Sequence, residues 1–251
     1  MRGRQKRYER PGPAPAALIH GRNAVLEAAR AGKVVKVFQA SGLGHDPRLD
    51  ELARLAPIEV VPPERLDIIA SGVHQGVAAE LKPRRLWTLK DLLATSPTLL
   101  VALDGIMDPQ NLGAILRSAE VAGADGAILP EHRSAPLSPA AVKASSGASE
   151  LLRIAQVSGI PSAIAEVKRA GIWCAALDVR GDMAPWDFDL AQPVCIVVGS
   201  EGEGVHRLVR ERCDVRLRLP VAGHVSSFNA SAAAAALLYE VMRQRGGRNS
   251  A

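Results

Sequence analysis

Aromatic residues are scarce in this sequence. Three Phe, two Tyr and three Trp make up only 3% of its 251 residues, so it offers few stacking platforms. Hydrophobic residues nonetheless form 47% of the chain, and most of them are Ala, Val, Leu and Ile. A chain of this length can bury a substantial core in one large domain or two small ones. The composition is typical of an α/β interior.

Cysteine and long apolar runs are also scarce. Cys174, Cys195 and Cys213 lie in or beside apolar segments, and no two of them are close in sequence. We therefore expect buried, reduced thiols rather than disulfides or a metal site. The sequence contains no run of 18 apolar residues, and its N-terminal segment lacks the apolar core of a signal peptide. These absences predict a soluble, cytoplasmic protein with no membrane association and no metal.

The positive charge is concentrated at the N-terminal end. Residues 1–11 carry five basic residues and one acidic residue, which gives +4 of the formal net charge of +5. A Pro- and Ala-rich run follows, and such a segment cannot bury enough apolar surface to fold. We predict a disordered basic tail over residues 1–16, which either neutralises phosphates or only aids solubility. Further basic residues at 82–90 and 243–248 favour a polyanionic partner.

Short apolar runs alternate with helical patterns in two series. The first series covers residues 17–82 and is followed by a basic, proline-containing segment, so we predict a linker over residues 83–97. The second series covers residues 98–247, with predicted strands at 99–103, 127–129, 151–157, 173–177, 194–198 and 215–219. Strands that alternate with helices predict a mostly parallel sheet covered on both faces.

A first polar motif spans residues 104–119, where a predicted strand leads into a predicted helix. Asn111 and Arg117 are six residues apart, which in one helix means about 9 Å of rise and about 120° between their directions. To serve one site, Asn111 must lie in the loop or the first turn, with Arg117 projecting sideways. Taken alone, Asn111 is better explained as a helix N-cap and Arg117 as a surface ion pair. The apolar neighbours of Arg117 suggest instead a group that grips phosphate.

A second motif is the glycine-rich loop at residues 199–204. Its glycine spacing differs from the dinucleotide-binding fingerprint, and Glu201 and Glu203 would repel a pyrophosphate. The chain also contains no Walker A sequence. An acidic glycine loop suits a cationic or hydroxyl-bearing ligand; otherwise it is a tight turn with solvated glutamates.

A third motif, at residues 223–231, places four short polar side chains at the start of an Ala-rich helix: Ser226, Ser227, Asn229 and Ser231. We expect one serine to cap the helix, and the set exceeds what a cap needs. His224 is interpreted as a loop residue and not as a catalyst. The helix at 229–244 can pack tightly within the chain or form a homodimer seam, which we favour slightly. Because open α/β sheets bind ligands in loops beyond their strands, the second and third motifs predict one pocket and hence an enzyme.

In this order, the three motifs resemble the SpoU (TrmH-like) class of SPOUT RNA methyltransferases. Within that class the chain is most similar to the RlmB type, which methylates a guanosine ribose 2′-hydroxyl in large-subunit (23S) ribosomal RNA. Residues 19–25 and 73–77 resemble landmarks of the N-terminal RNA-recognition domain of this type. The resemblance implies a small α/β RNA-binding domain at 17–82 and a SPOUT catalytic domain with a trefoil knot at 98–247.

The resemblance also implies a cofactor, S-adenosylmethionine, together with the residues of the site. The implied cofactor-binding residues are Leu177, Gly199, Leu219 and Phe228. The implied catalytic residues are Asn111, Arg117, Glu201, Ser227 and Asn229. Members of the class act on RNA as homodimers. His224 and Phe228 differ from the residues common at these positions in the class, which leaves the detailed geometry of the cofactor loop open.

Arg117 matches the residue that the class proposes as the base for the 2′-hydroxyl proton. An arginine is effectively always protonated, so we expect Arg117 to orient the target phosphate and stabilise the developing alkoxide instead. Glu201, Ser227 and Asn229 would hold Arg117 and the ribose in register, and the proton acceptor stays open. The alternatives are a transfer-RNA ribose methyltransferase, a resistance-type ribosomal RNA methyltransferase, or a catalytically silent RNA-binding ribosome-assembly factor.

Overall fold

Two separate β-sheets organise the protein. The computed structural model describes residues 18–70, 73–82 and 87–246. The chain divides at residue 85 into two units, each built around one of the sheets. The basic tail predicted at residues 1–16 and residues 83–86 of the predicted linker lie outside the described residues.

The first unit contains a four-stranded mixed sheet in the order β1-β4-β2-β3. Its strands are β1 (Leu18–His20), β2 (Val34–Ala40), β3 (Ile58–Val61) and β4 (Val77–Leu81). Its helices are α1 (Arg22–Arg30), α2 (Pro47–Leu55) and α3 (Pro63–Ile69). Strand β4 pairs antiparallel with β1 and β2, whereas β2 and β3 are parallel.

The two segments that resemble N-terminal landmarks meet at Arg22. Its backbone N–H donates to Gln75 Oε1 at 3.1 Å, and its Nε donates to the Gln75 carbonyl at 3.0 Å. Its Nη1 also contacts Asp46, which caps α2 by accepting from the Arg48 N–H at 2.9 Å. The Arg48 guanidinium and backbone N–H, with Arg22, hold the pKa of the Asp46 carboxyl well below its usual range. One carboxylate thus fixes the starts of two helices.

The second unit contains six strands, all parallel, in the order β10-β8-β9-β5-β6-β7. The strands are β5 (Leu99–Asp104), β6 (Gly126–Pro130), β7 (Arg153–Val157), β8 (Trp173–Leu177), β9 (Val194–Gly199) and β10 (Val215–Leu217). The helices are α4 (Leu89–Leu93), α5 (Pro109–Val121), α6 (Pro139–Ala144), α7 (Ala148–Leu151), α8 (Ile160–Arg169), α9 (Arg207–Arg212) and α10 (Ala230–Gly246). A 3-10 turn at Pro185–Asp187 follows β8.

Alternate residues of β5 face two different cores. Leu99, Val101 and Leu103 pack with α5 and α10 on one face of the sheet. Leu100 and Ala102 pack with α8 and α9 on the other face. Because both faces of the sheet are covered, the sequence of β5 is a nearly continuous apolar run and does not alternate between apolar and polar residues. The predicted α/β class with a mostly parallel sheet is confirmed; the trefoil knot stays a prediction.

Three local predictions differ from the structure. Leu151, predicted as the first residue of a strand, is the last residue of α7, and the strand starts at Arg153; Ser145 Oγ accepts the Ser149 N–H at 3.2 Å and closes the helical turn. Residues 89–93, in the predicted linker, form α4, which Thr88 caps through the Asp91 N–H and which buries Leu92 in the second core. Strand β10 ends at Leu217, two residues before the predicted end.

All three cysteines are free thiols in the second unit. Cys174 and Cys195 are buried register partners on β8 and β9, and Cys213 packs beside them. Contact with Cys174 and burial raise the pKa of Cys195, and burial raises the pKa of Cys213 to about 12. Within the described ranges, no cluster of side chains could hold a metal ion. No helix in the described part of the chain has the length and hydropathy needed to cross a bilayer.

Arg245 fastens the end of α10 to the amino-terminal edge of the sheet. Its guanidinium donates to the carbonyl oxygens of Thr98 at 2.8 Å, Gln192 at 3.2 Å and Leu190 at 3.4 Å. Burial lowers the pKa of this guanidinium. The neighbouring Gln244 adds bonds to the Leu190 N–H and the Phe188 carbonyl. The last helical turn is therefore held by polar contacts to two chain segments, at Thr98 and at residues 188–192.

We expect Arg245→Ala to lower the free energy of unfolding by about 2 kcal/mol, because it removes charged donors from partly buried carbonyl groups. The measurement is urea denaturation monitored by circular dichroism. Arg243→Ala is the matched control, since Arg243 is exposed and, among the described residues, pairs with Glu240 on the same helix. This control should change the free energy by less than about 0.5 kcal/mol. Equal effects from both variants would contradict the role given to Arg245.

Candidate active site

The candidate site lies at the crevice between β5 and β9. In the sheet, β6 and β7 lie on one side of β5, and β9, β8 and β10 lie on the other. Because the sheet is parallel, all strands end at the same edge. A ligand crevice forms there where the direction of winding reverses. The residues that follow β5 and β9 meet at this point.

The glycine loop after β9 folds back on itself. Ser200 and Gly204 exchange two backbone hydrogen bonds of 3.1 and 3.0 Å, which close the loop at its base. A Cβ atom on Gly199 would lie 2.0 Å from the Gly204 carbonyl carbon, so no other residue fits there without moving the backbone. Gly202 and Gly204 have φ values of 86° and 70°, in the left-handed region that favours glycine. The loop therefore needs its glycines and presents Glu201 at its tip.

Glu201 joins the three sequence motifs. Its Oε1 accepts from Asn111 Nδ2 at 3.1 Å and also from Asn229 Nδ2. Asn229 Nδ2 donates at 3.1 Å to Asn111 Oδ1 as well. Two side-chain amides thus share one carboxylate oxygen, and each amide bonds to the other. These contacts fix the relative positions of α5, the glycine loop and α10.

The caps of the two helices are not those expected from the sequence. Asp108 caps α5, with Pro109 in the first turn, so Asn111 is free to bond Glu201. Asn229 caps α10 by accepting the N–H groups of Ser231 at 2.9 Å and Ala232 at 3.3 Å. The expectation of a serine cap was therefore wrong. The side-chain amide of Asn229 caps the helix with its oxygen, and its nitrogen donates to Glu201 and Asn111. A serine hydroxyl has only one polar atom for both tasks.

A cavity of about 700 Å³ opens beside the glycine loop. The four residues implied to bind the cofactor all line it: Leu177, Gly199, Leu219 and Phe228. Glu201 and Ser227 line it as well. This volume falls within the range of about 300–1,000 Å³ typical of small-molecule sites. Apolar side chains and bare loop backbone fit a nucleoside, and the lining carries charges of both signs, with Glu201 and Glu203 as well as Arg180 and Arg218.

Arg117 stands apart from the other implied site residues. It is exposed on α5, does not line the cavity, and makes no hydrogen bond or ion pair with any residue that the structure describes. Glu201 and Asn229, which together with Ser227 were expected to hold Arg117, bond to each other and to Asn111. Arg117 lies six residues beyond Asn111, which turns it away from the triad. Ser227 is exposed at the cavity rim.

Asp104 and His206 form a second link across the crevice that the sequence did not reveal. The buried Asp104 Oδ2 accepts the His206 backbone N–H at 2.7 Å and lies 3.0 Å from His206 Nδ1. The two residues are 102 positions apart, so no local pattern signals their contact. The half-exposed imidazole also lines the cavity, with Nε2 at 4.0 Å from Glu203. His206, and not His224, is thus the histidine that contacts the glycine loop.

Two family models match the chain. The model of the SpoU rRNA Methylase family matches residues 98–239, and the model of the RNA 2′-O ribose methyltransferase substrate binding domain matches residues 18–87. Among curated relatives, a 23S rRNA (guanosine-2′-O-)-methyltransferase, RlmB, of Pseudomonas aeruginosa is 40% identical over 223 residues, which cover 85% of this chain and 90% of the relative.

Solved structures agree with these matches. The SpoU methyltransferase AviRb from Streptomyces viridochromogenes, in complex with the cofactor AdoMet, is 28% identical, with a TM-score of 0.77 over 92% of this chain and 90% of AviRb. A TrmH/SpoU tRNA modifying enzyme of A. aeolicus is 25% identical, with a TM-score of 0.56. The match covers 84% of that enzyme but only 64% of this chain.

We expect Gly199→Ala to lower the free energy of unfolding by about 3 kcal/mol, because the added carbon meets backbone atoms that cannot rotate away. Chemical denaturation provides the measurement. Gly223→Ala is the matched control, since nothing lies within 4 Å of its added carbon. That control should stay within about 0.5 kcal/mol of the parent protein. A tolerated Gly199→Ala would show that the loop is not closed as described.

Proposed function

The chain belongs to the SpoU rRNA methylase family, and from this premise we propose that it methylates the ribose 2′-hydroxyl of a guanosine in 23S ribosomal RNA, with S-adenosylmethionine as methyl donor. The Asn111–Glu201–Asn229 contact at the rim of the cavity is the observation that carries this proposal. It joins segments from all three sequence motifs where a nucleoside cofactor and a ribose can meet. The likeness to the Pseudomonas aeruginosa RlmB protein along most of both chains supports this substrate.

The cavity suits the proposed cofactor in shape and charge. Leu177 and Leu219 supply apolar surface for an adenine ring, and Gly199 lets the ligand approach the loop backbone. Glu201 and Glu203 lie where a cationic group would be stabilised. When bound, S-adenosylmethionine supplies an electrophilic methyl group on a sulfonium. The chain itself contributes orientation, because its loops hold the cavity and the triad side by side.

The triad would position the ribose. Glu201 Oε1 is occupied by the two amides, so its other oxygen is left to contact a hydroxyl group. Asn229 is held by its own capping bonds and cannot rotate freely. Because these side chains are already ordered, less conformational entropy is lost when the 2′-hydroxyl is fixed for attack. Ser227 at the rim would add one further polar contact.

Arg117 would contact the phosphate beside the target ribose. Its planar guanidinium is exposed and has no partner among the described residues, so all of its donors are available to an RNA oxyanion. In this role it would stabilise the negative charge that develops on the ribose oxygen. The guanidinium would act by charge and position and not as a proton acceptor.

The same proposal includes a homodimer and a knotted C-terminal segment. Tyr239 and Met242 leave apolar surface exposed on α10, and Val121 does so on α5, on the same side of the sheet. A second copy would cover this surface. After edge strand β10, the chain returns to the centre of the sheet, where α10 packs on α5 and β9; this path supports the knot. The ribosomal RNA substrate suits a cytoplasmic location.

The transfer-RNA alternative is less well supported. The tRNA modifying enzyme of A. aeolicus matches only 64% of this chain, whereas the RlmB relative matches 85%. The difference between these two coverages corresponds to most of a small domain. The RlmB relative, which matches more of this chain, is therefore the better guide to the substrate.

Cells that lack this protein should lose one 2′-O-methylguanosine from 23S ribosomal RNA. Mapping of 2′-O-methyl groups in ribosomal and transfer RNA would detect the loss, and expression of the intact gene should restore it. An unchanged ribosomal RNA together with a lost transfer-RNA methyl group would contradict the proposed substrate but not the proposed chemistry.

Arg117→Ala should reduce methyl transfer by at least about 100-fold, because it removes the charged donor proposed to hold the target phosphate and to stabilise the developing alkoxide. Affinity for S-adenosylmethionine should change by less than about twofold, since Arg117 lies outside the cavity. A radiolabel transfer assay and calorimetry measure the two quantities. Arg169→Ala, at the opposite edge of the sheet, is the control that should preserve both. Comparable loss of activity and of cofactor affinity in Arg117→Ala would refute the assigned role.

A further inference from the structure

The unpaired arginines of the second unit are not scattered at random. Most of its described arginines donate to a carboxylate or a carbonyl oxygen, as Arg210 does to Asp178 at 3.1 Å and Arg212 to the Pro161 carbonyl at 2.7 Å. Besides Arg117, three described arginine side chains make no such contact: Arg133, Arg180 and Arg218. All three are exposed or half-buried in loops that follow strands.

These three residues lie at the carboxyl-terminal edge of the sheet. Arg133 is three residues beyond β6, Arg180 is three residues beyond β8, and Arg218 directly follows β10. Leu177 and Leu217, the last residues of β8 and β10, are register partners, so the loops that carry Arg180 and Arg218 start side by side. Both of these arginines line the cavity.

Arg133 lies on the other side of the crevice. Its loop is tied to the segment after β5, because Ser134 Oγ and the Ala135 N–H both donate to the Ile106 carbonyl, at 3.2 and 2.7 Å. Arg133 has a φ of 57°, in the left-handed region that an arginine rarely adopts. The glycine loop and the triad therefore lie between Arg133 on one side and Arg180 with Arg218 on the other.

Most carboxylates at this edge are already engaged. Arg210 neutralises Asp178, Arg216 pairs with Asp182, and the triad amides bind Glu201. Asp108 caps α5, Glu203 lies 4.0 Å from His206 Nε2, and Glu131 remains as an exposed acidic group two residues before Arg133. The unpaired charge on both sides of the crevice is therefore mainly positive, and it is carried by guanidinium groups, whose planar donors match phosphate oxygens.

We propose that Arg133, Arg180 and Arg218 form a phosphate track that holds single-stranded RNA backbone across the mouth of the cavity. The strand runs from one side of the crevice to the other and brings the ribose between its phosphates to the Asn111–Glu201–Asn229 triad. An unpaired strand is required because the target ribose must leave a helical stack to reach the triad. This inference rests on the proposed function, since it assumes that RNA is the substrate.

The arginines at the cavity mouth have one competing role. Arg180 and Arg218 could bind the carboxylate of S-adenosylmethionine instead of a phosphate. Arg133 does not line the cavity, so it has no such role. If the three arginines form a phosphate track, substitution of any of them should weaken RNA binding. If Arg180 and Arg218 bind the cofactor carboxylate, their substitution should instead weaken cofactor binding.

The test compares Arg133→Gln and the double variant Arg180→Gln/Arg218→Gln with the parent protein. The probe is 23S ribosomal RNA purified from cells that lack this protein, and its affinity is measured at several salt concentrations. Each lost phosphate contact should lower the slope of log affinity against log salt by about 0.7 to 0.9, and the double variant should lose about twice that. Affinity for S-adenosylmethionine and the melting temperature should not change.

Arg169→Gln is the matched control, because Arg169 is an exposed arginine at the end of α8, on the opposite edge of the sheet. Salt slopes equal to that of the control would overturn the track. Loss of cofactor affinity in the double variant, without a change in slope, would overturn it in favour of carboxylate binding. Failure of the parent protein to methylate this RNA would count against the proposed function instead, and the binding slopes would still decide on the track.

Discussion

A single carboxylate oxygen organises the candidate site. Glu201 Oε1 accepts from the amides of Asn111 and Asn229, which lie 90 positions before it and 28 positions after it. A hydrogen bond to a charged acceptor is worth more than one between neutral groups, and two donors on one oxygen restrict its direction. The contact ties three chain segments together beside the cavity. The site is thus a product of the tertiary fold and not of any one motif.

The glycine loop is what allows Glu201 to reach both amides. Because Gly199 packs against the backbone of Gly204, the loop turns within five residues and leaves no freedom at its base. Asp104 then anchors the residue that follows the loop by binding the His206 N–H and ring. The same loop lines the cavity, so in the proposed function one hairpin would serve both the cofactor pocket and the ribose site. When one rigid element borders two binding sites, the distance between the two bound reactants is fixed without a conformational change.

Features that depend on local sequence could be predicted, and features that depend on distant contacts could not. The buried run of β5 and its neighbours indicated the parallel sheet, and the family resemblance is confirmed. The helix α4 was missed because a basic, proline-containing segment precedes it, although Thr88 and Leu92 carry a cap and a core contact. The choice of Asn229 as the α10 cap, and the Asp104–His206 link, depend on partners brought close only by folding.

The distribution of positive charge follows from the same constraint. A triad built from one carboxylate and two amides can orient a ribose but cannot neutralise the phosphates on either side of it. That charge must come from residues outside the triad, and carboxylates near the site would weaken it. Asp178 and Asp182 are accordingly paired with arginines, while Arg117, Arg133, Arg180 and Arg218 have no partner among the described residues. The N-terminal residues, with +4 of the net charge, can attract a polyanion from a distance, but ionic screening limits them to about 10 Å at 0.1 M salt. In the proposed function, placement of the target ribose would therefore depend on the guanidinium groups that are unpaired among the described residues.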